Sequence, residues 1–175
     1  AVKARNHGSG ALNITTTGQV HGASGDGIYA RNYGTDLTIS AVDVSGGVYG
    51  IYAHNDGSGT LSITTVGQVT GGTGAGIFTQ TGAGKSTIIT LNGGVSLSAA
   101  SGVAIKNDDG NSQITINSGA SVEGTLQLGG GTDEVTVANG GFLGGGGIDG
   151  GNLTVAAGGT VSPGLSPGIL TVNGD

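Results

Sequence analysis

Four of the five Lys and Arg residues in this chain fall on one recurring segment. Val2-Lys-Ala-Arg-Asn6 lines up with Ile28-Tyr-Ala-Arg-Asn32, Ile51-Tyr-Ala-His-Asn55, Ile77-Phe-Thr-Gln-Thr81 and Val103-Ala-Ile-Lys-Asn107. In an extended chain alternate residues share a face. Val2, Ile28, Ile51, Ile77 and Val103 are therefore expected to point inward, as are Ala4, Ala30, Ala53, Thr79 and Ile105. The outward columns hold Lys3, Tyr29, Tyr52, Phe78 and Ala104 beside Arg5, Arg31, His54, Gln80 and Lys106, with Tyr33 and Tyr49 close in sequence. On a chain of net charge −6 this is a basic, aromatic strip. One reading is a recognition surface for an anionic or glycan partner, because Arg and Tyr are favoured binding residues. Its candidate residues are Lys3, Arg5, Tyr29, Arg31, Tyr52, His54, Phe78 and Lys106. The other reading is that these side chains stack over one another to cover a sheet. The column Asn6, Asn32, Asn55 and Asn107 is read as structural, since stacked amides hydrogen-bond along a rod and Asn tolerates tight turns.

Other chemistry fails on spacing. Gly82-Ala-Gly-Lys-Ser86 matches part of a phosphate-binding loop, but the required earlier glycine is Thr79, and strand-like Thr87–Leu91 follows where a helix is needed. Gly131, Asp133 and Val135 are in phase with a calcium-binding nonapeptide, yet Leu128 stands at its first glycine and no second copy exists. The carboxylate pairs Asp108/Asp109 and Asp133/Glu134 do not recur from coil to coil, as a lyase or hydrolase built on acidic columns would require. His7, His21 and His54 have no nucleophile or carboxylate at an identifiable spacing. No catalytic, cofactor-binding or metal-binding residue is assigned, and no enzyme is expected.

The elements that carry the strip follow from repeats. Gly10–Gly22 and Gly59–Gly71 agree at nine of thirteen positions, with a degenerate copy at Leu37-Thr-Ile39 between them. Apolar-x-apolar pairs recur as Leu12/Ile14, Leu37/Ile39, Leu61/Ile63, Ile89/Leu91, Ile114/Ile116, Val135/Val137, Leu153/Val155 and Leu170/Val172. A second inward position follows at Val20, Val44, Val69, Leu97, Val122, Leu143 and Val161. With 41 Gly, no Cys, no Trp, 3% aromatics and 9% charged residues, the chain cannot build a core on aromatic anchors. Its 35% hydrophobic content sets it apart from disordered chains. A single coil of short strands cannot bury its apolar face, whereas stacked coils about 4.8 Å apart can. The expectation is an all-β, single-stranded parallel β-helix (solenoid) of about seven or eight coils.

The C-terminal run Gly159-Thr-Val-Ser-Pro-Gly-Leu-Ser-Pro-Gly-Ile-Leu-Thr-Val-Asn-Gly-Asp175 resembles a recurring segment of bacterial autotransporter (type V secretion) passengers. Leu128–Val137, Asn139–Gly144 and the Gly-Ile-Tyr-Ala-Arg-Asn repeats are similar to coils of adhesin-like members. The resemblance implies a right-handed helix and makes residues 1–175 one passenger fragment. Longer coils of roughly 24–28 residues occupy 1–124, and shorter coils near the passenger C-terminal end occupy 125–175. The lack of an initiator Met and of a signal segment leads us to expect an internal piece of a longer protein.

Three functional expectations follow. The first is a surface-displayed or released, virulence-associated adhesin that binds a host-cell surface protein, extracellular matrix or an anionic glycan through the strip. The second is a purely structural stalk for secretion and display. The third is a secreted ligand for a host-cell receptor. The resemblance implies a secreted or cell-surface location, held at the outer membrane through the protein's own C-terminal β-barrel. The acidic balance argues against nucleic acid, and no apolar run is long enough for direct membrane insertion as a helix. The shorter C-terminal coils close smaller loops and are expected to form the most stable third.

Overall fold

Short runs of Val, Ile, Leu and Thr alternate with Gly- and Asn-rich corners, and each run becomes a strand. The computed structural model describes residues 1–164 and 169–174. Residues 165–168 of the passenger-like C-terminal run, and Asp175, lie outside the described residues. The first coil is β1 (Val2–Asn6), β2 (Leu12–Thr15) and β3 (Val20–Gly22). The second is β4 (Ile28–Asn32) and the long β5 (Leu37–Gly46), and the third is β6 (Ile51–Asn55) and β7 (Leu61–Gly71). The fourth is β8 (Ile77–Thr81), β9 (Ser86–Leu91) and β10 (Ser96–Ala99). The fifth runs through β11 (Val103–Asn107) and β12 (Asn111–Ile116) into β13 (Ser121–Gln127). The sixth takes the end of β13, β14 (Glu134–Val137) and the start of β15 (Phe142–Asp149). The seventh takes the end of β15, β16 (Asn152–Val155) and β17 (Thr160–Ser162), and β18 (Thr171–Asn173) follows it. The result is an all-β parallel solenoid of about seven turns, with no helix among the described residues.

Every named pairing between coils is parallel, and three faces result. On the first, Ile28 stacks on Val2, Ile51 on Ile28, Ile77 on Ile51 and Ile105 on Ile77; Leu126, Ile148 and Val172 continue the column. On the second, Ile14, Ile39, Ile63, Ile89, Ile114, Val135 and Leu153 form one ladder. On the third, Val20, Val44, Val69, Leu97, Val122, Leu143 and Val161 stack in the order read from the sequence. Ile28, Ile39, Ile51, Ile77, Ile89, Leu97 and Val122 are wholly buried. Each such side chain contributes about 1.5–3 kcal/mol relative to exposure. The core is thus three aliphatic columns meeting along the rod axis.

The corner between the second and third faces changes character along the rod. In β5 and β7 the strand passes straight through it with a register shift at Asp43, whose Oδ1 accepts a hydrogen bond from Gln68 N at 2.8 Å. From the fourth coil on, a four-residue turn replaces it. Val95 N donates to Asn92 O, Ala120 N to Asn117 O, Gly141 N to Ala138 O and Gly159 N to Ala156 O, at 2.9–3.1 Å. The third residue of each turn is Gly94, Gly119, Gly140 or Gly158, with φ between +74° and +89°. A type II turn requires that conformation there. The corner between the third and first faces contracts instead, from the stretch Leu97–Ile105 to the stretch Val122–Leu126, which shortens the later coils.

Three expectations of register are corrected. Thr87, not Ile89, stacks on Leu61, and Ile105, not Val103, stacks on Ile77. The turn at Asn92–Val95 adds two residues ahead of β11, and polar Thr87 in the leucine column lets Ile89/Leu91 imitate the Leu61/Ile63 pair, so both strands sit two residues from the alignment read by similarity. A slip of two preserves which residues face inward and so escapes a search for alternation. Asn107 accordingly stands over Thr79, and Thr81 takes the position above Asn55. Ala104, expected outward, lies at a register shift between Val103 and Ile105 and is fully buried in the core, leaving Val103 only half-buried. Val172 stacks on Ile148 of the first face, so Leu170/Val172 is not an eighth copy of the second-face pair.

Candidate functional site

The outward columns of the first face meet as an aromatic ladder. Parallel in-register pairing puts Tyr29 beside Tyr52 and Tyr52 beside Phe78. The Tyr29 and Tyr52 rings are stacked, with centroids 5.0 Å apart and planes 6° apart. Phe78 meets Tyr52 edge-on at 5.1 Å, and Tyr49 reaches in from the preceding corner to lie 5.0 Å from Phe78 and 5.7 Å from Tyr52. Lys3 and Arg5 lie over Tyr29 at 5.6 and 5.2 Å, and Lys106 lies over Phe78 at 5.2 Å. Arg31 lies over Tyr33 at 4.7 Å, and Tyr33 in turn stacks on His7. Rings stacked along the rod present their edges to solvent, because their faces are covered by neighbours and cations. Phe78 is 7% exposed, so it supports the ladder and offers little surface to a partner.

Two of the strip's four Lys and Arg charges are matched by carboxylates beside it. Arg31 Nε and Nη2 both donate to Asp56 Oδ2, at 3.1 and 3.0 Å, and His54 Nε2 lies 2.9 Å from Asp56 Oδ1. Lys106 Nζ lies 3.2 Å from Asp108 Oδ1. The Asp56 hydrogen bond raises the Arg31 pKa further above its ordinary value. Burial, with nearby Arg31, lowers the His54 pKa below its ordinary value against the opposite pull of Asp56. Burial pushes the Tyr52 hydroxyl upward, and the neighbouring Tyr29 adds to that. Lys3 and Arg5 form no ion pair among the described residues; Arg5 Nη2 donates to the Tyr29 hydroxyl at 3.3 Å. Among the described residues, the strip's unmatched cations therefore lie on the first coil.

Asn6, Asn32 and Asn55 form a hydrogen-bonded column. Asn6 Nδ2 donates to Asn32 Oδ1 at 2.7 Å, and Asn32 Nδ2 donates to Asn55 Oδ1 at 2.9 Å. Each amide also closes its own corner, accepting from Gly8, Gly34 or Gly57 N and donating to Gly10, Thr35 or Gly59 O. Asn107 belongs to another cluster: its Oδ1 accepts from Thr79 Oγ1, and its Nδ2 donates to Ser112 Oγ and Leu128 O. Thr79, Thr87, Asn107, Ser112 and Asp133 are all buried, so a polar seam replaces the Leu12, Leu37 and Leu61 column in the middle coils. Ser112 N donates to Asp133 Oδ1 at 2.6 Å.

Sequence reading missed the pairing of Asp56 and Asp108 with the strip and placed Tyr49 only near it in sequence. The first two carried a signal, because Asp follows Asn directly at Asn55-Asp56 and Asn107-Asp108, beside the basic column. Lys85, the one basic residue off the strip, donates from Nζ to Asp56 O and Gly57 O and closes the third coil's corner. No group of three or more His, Cys, Asp or Glu side chains suited to a metal ion occurs among the described residues. No family model matches the chain, and neither a curated protein nor a solved structure matches it.

Proposed function

We propose that the chain is a non-enzymatic stretch of a bacterial autotransporter passenger that serves as a rigid display rod at the cell surface, anchored through the protein's own outer-membrane barrel. The observation that carries this reading is the pairing of the strip's chemistry-bearing groups with one another: Arg31 with Asp56, Lys106 with Asp108, and Tyr29 with Tyr52. Such a surface stiffens a stack of coils and leaves few groups for a partner. Coils that form one after another outside the cell would also prevent backsliding during export.

Lys3 and Arg5 favour a second reading. They are exposed, lie over Tyr29 and have no carboxylate partner among the described residues. In that reading the passenger is itself an adhesin that binds a host-cell protein, matrix or anionic glycan through the first coil. Binding of the chain to intact host cells, with and without heparin and at two salt concentrations, separates the two. Absence of binding supports the rod. Binding that falls with salt and disappears in Lys3→Ala/Arg5→Ala overturns it in favour of the adhesin.

A further inference from the structure

We propose that an outer groove on the second face, across the fourth to sixth coils, is a binding site for one neutral, hydroxyl-rich sugar ring. The groove encloses about 240 Å³, below the roughly 300–1,000 Å³ of pockets for drug-sized ligands and of the order needed for a single ring. It opens where β14 starts late. Glu134 pairs with Gln113, so Asn111 and Ser112 of β12 have no partner strand on that side, and buried Ser112 becomes the base of the groove.

Two outward columns form the walls. Parallel register stacks Ile88, Gln113 and Glu134 in one, and Ser86 beside Asn111 in the other, with Thr132 next to Asn111. This region differs from the aromatic strip in one decisive respect. Among the described residues, the side chains of Ser86, Gln113, Thr132 and Glu134 make no hydrogen bond or ion pair, and Asn111 uses only its Oδ1, which accepts from Thr132 N at 2.9 Å. Amides, hydroxyls and a carboxylate thus converge with free donors and acceptors. Ile88 is the one apolar member of a column otherwise made of Asn13, Thr38, Ser62, Gln113, Glu134 and Asn152, and it is 37% exposed.

That combination fits a sugar: an apolar patch for ring C–H groups, amides and hydroxyls for sugar hydroxyls, and a carboxylate that accepts from a pair of them. The lining contains no Lys or Arg, so an anionic ligand would meet only Glu134 unopposed. A β-strand ligand would find little to pair with here, because β12 from Gln113 onward is paired to the coils on both sides and Ser112 N already donates to Asp133 Oδ1.

The test is an amide-resolved NMR titration of the whole chain with galactose, glucose and N-acetylglucosamine. The expected result is saturable shifts at the Asn111 and Gln113 side-chain amides for at least one sugar, with a Kd on the order of 1 mM. Gln113→Ala and Ile88→Ser should each weaken binding at least about tenfold while leaving the rest of the spectrum in place. Arg5→Ala should have no effect, which separates this site from the strip. If galactose binds, lactose binding equally well assigns the ring to a glycan end, and loss of binding assigns the free monosaccharide. Absence of shifts with all three sugars, shifts elsewhere on the rod, or shifts unchanged in both groove variants would overturn the proposal.

Discussion

Asn32 shows how much a single buried amide does in a stack of coils. It is wholly buried, accepts from Asn6 and Gly34, and donates to Asn55 and Thr35, so it ties three coils together. Asn32→Ala leaves several of those groups unsatisfied and should lower stability by about 2–4 kcal/mol in urea unfolding, whereas Asn6→Ala, half-exposed on the first coil, should cost about 1 kcal/mol. His54 makes a prediction in pH. Burial lowers its folded pKa, so the unfolded chain takes up a proton first as pH falls. The contribution is present in full above the ordinary histidine value of about 6.5 and is lost as pH drops toward the lower folded value. The urea midpoint should therefore decline on acidification below about pH 6.5, and His54→Gln should reduce that slope; an unchanged slope in the variant would contradict the assignment.

Among the elements, corners decide more than strands. Gly119 has φ +77°, and a Cβ there would meet nothing closer than 3.5 Å, so Gly119→Ala isolates the backbone requirement of the turn. It should destabilise by about 1 kcal/mol or more. Gly18 lies in open space without a left-handed φ, and Gly18→Ala should be neutral or stabilising by up to about 1 kcal/mol; paired unfolding curves check both. These corners also explain what the sequence revealed and what it hid. The Val20-to-Val161 column was legible in full, because its members recur five or six residues after each apolar pair read from the sequence. The registers of β9 and β11 were not, because Thr87 replaces a leucine in β9 and the turn at Asn92–Val95 adds two residues before β11, and neither disturbs alternation. The strip residues were found by type and spacing, yet their pairing with Asp56 and Asp108 needed the corners to be folded. The sugar groove was hidden for a related reason. Its residues come from three coils of different length, so no constant period brings Ile88, Gln113 and Glu134 together.

At the scale of the whole molecule, loop length and burial give opposite answers about where the rod is strongest. Shorter C-terminal coils lose less entropy on closure, but each doubling of loop length costs only about 0.6 kcal/mol. Burial differs by more. Ile39, Ile63, Ile89, Ile114 and Val135 are shielded by coils on both sides, whereas Leu153 is partly exposed, Val155 is 45% exposed and Val172 is 41% exposed. Val2 and Leu12 at the other end are also only partly buried. In a stack where each coil contacts only its neighbours, stability follows the number of interfaces a coil makes. The middle coils should therefore exchange their amide hydrogens most slowly, with protection falling toward both ends. The polar seam of Thr87, Asn107 and Ser112 lies inside this middle region, and its hydrogen bonds keep it from becoming a weak point. Hydrogen exchange with the slowest amides in β5 to β14 supports this account. Slowest exchange after residue 150 would show that loop closure, and not burial, sets the order in which the coils open.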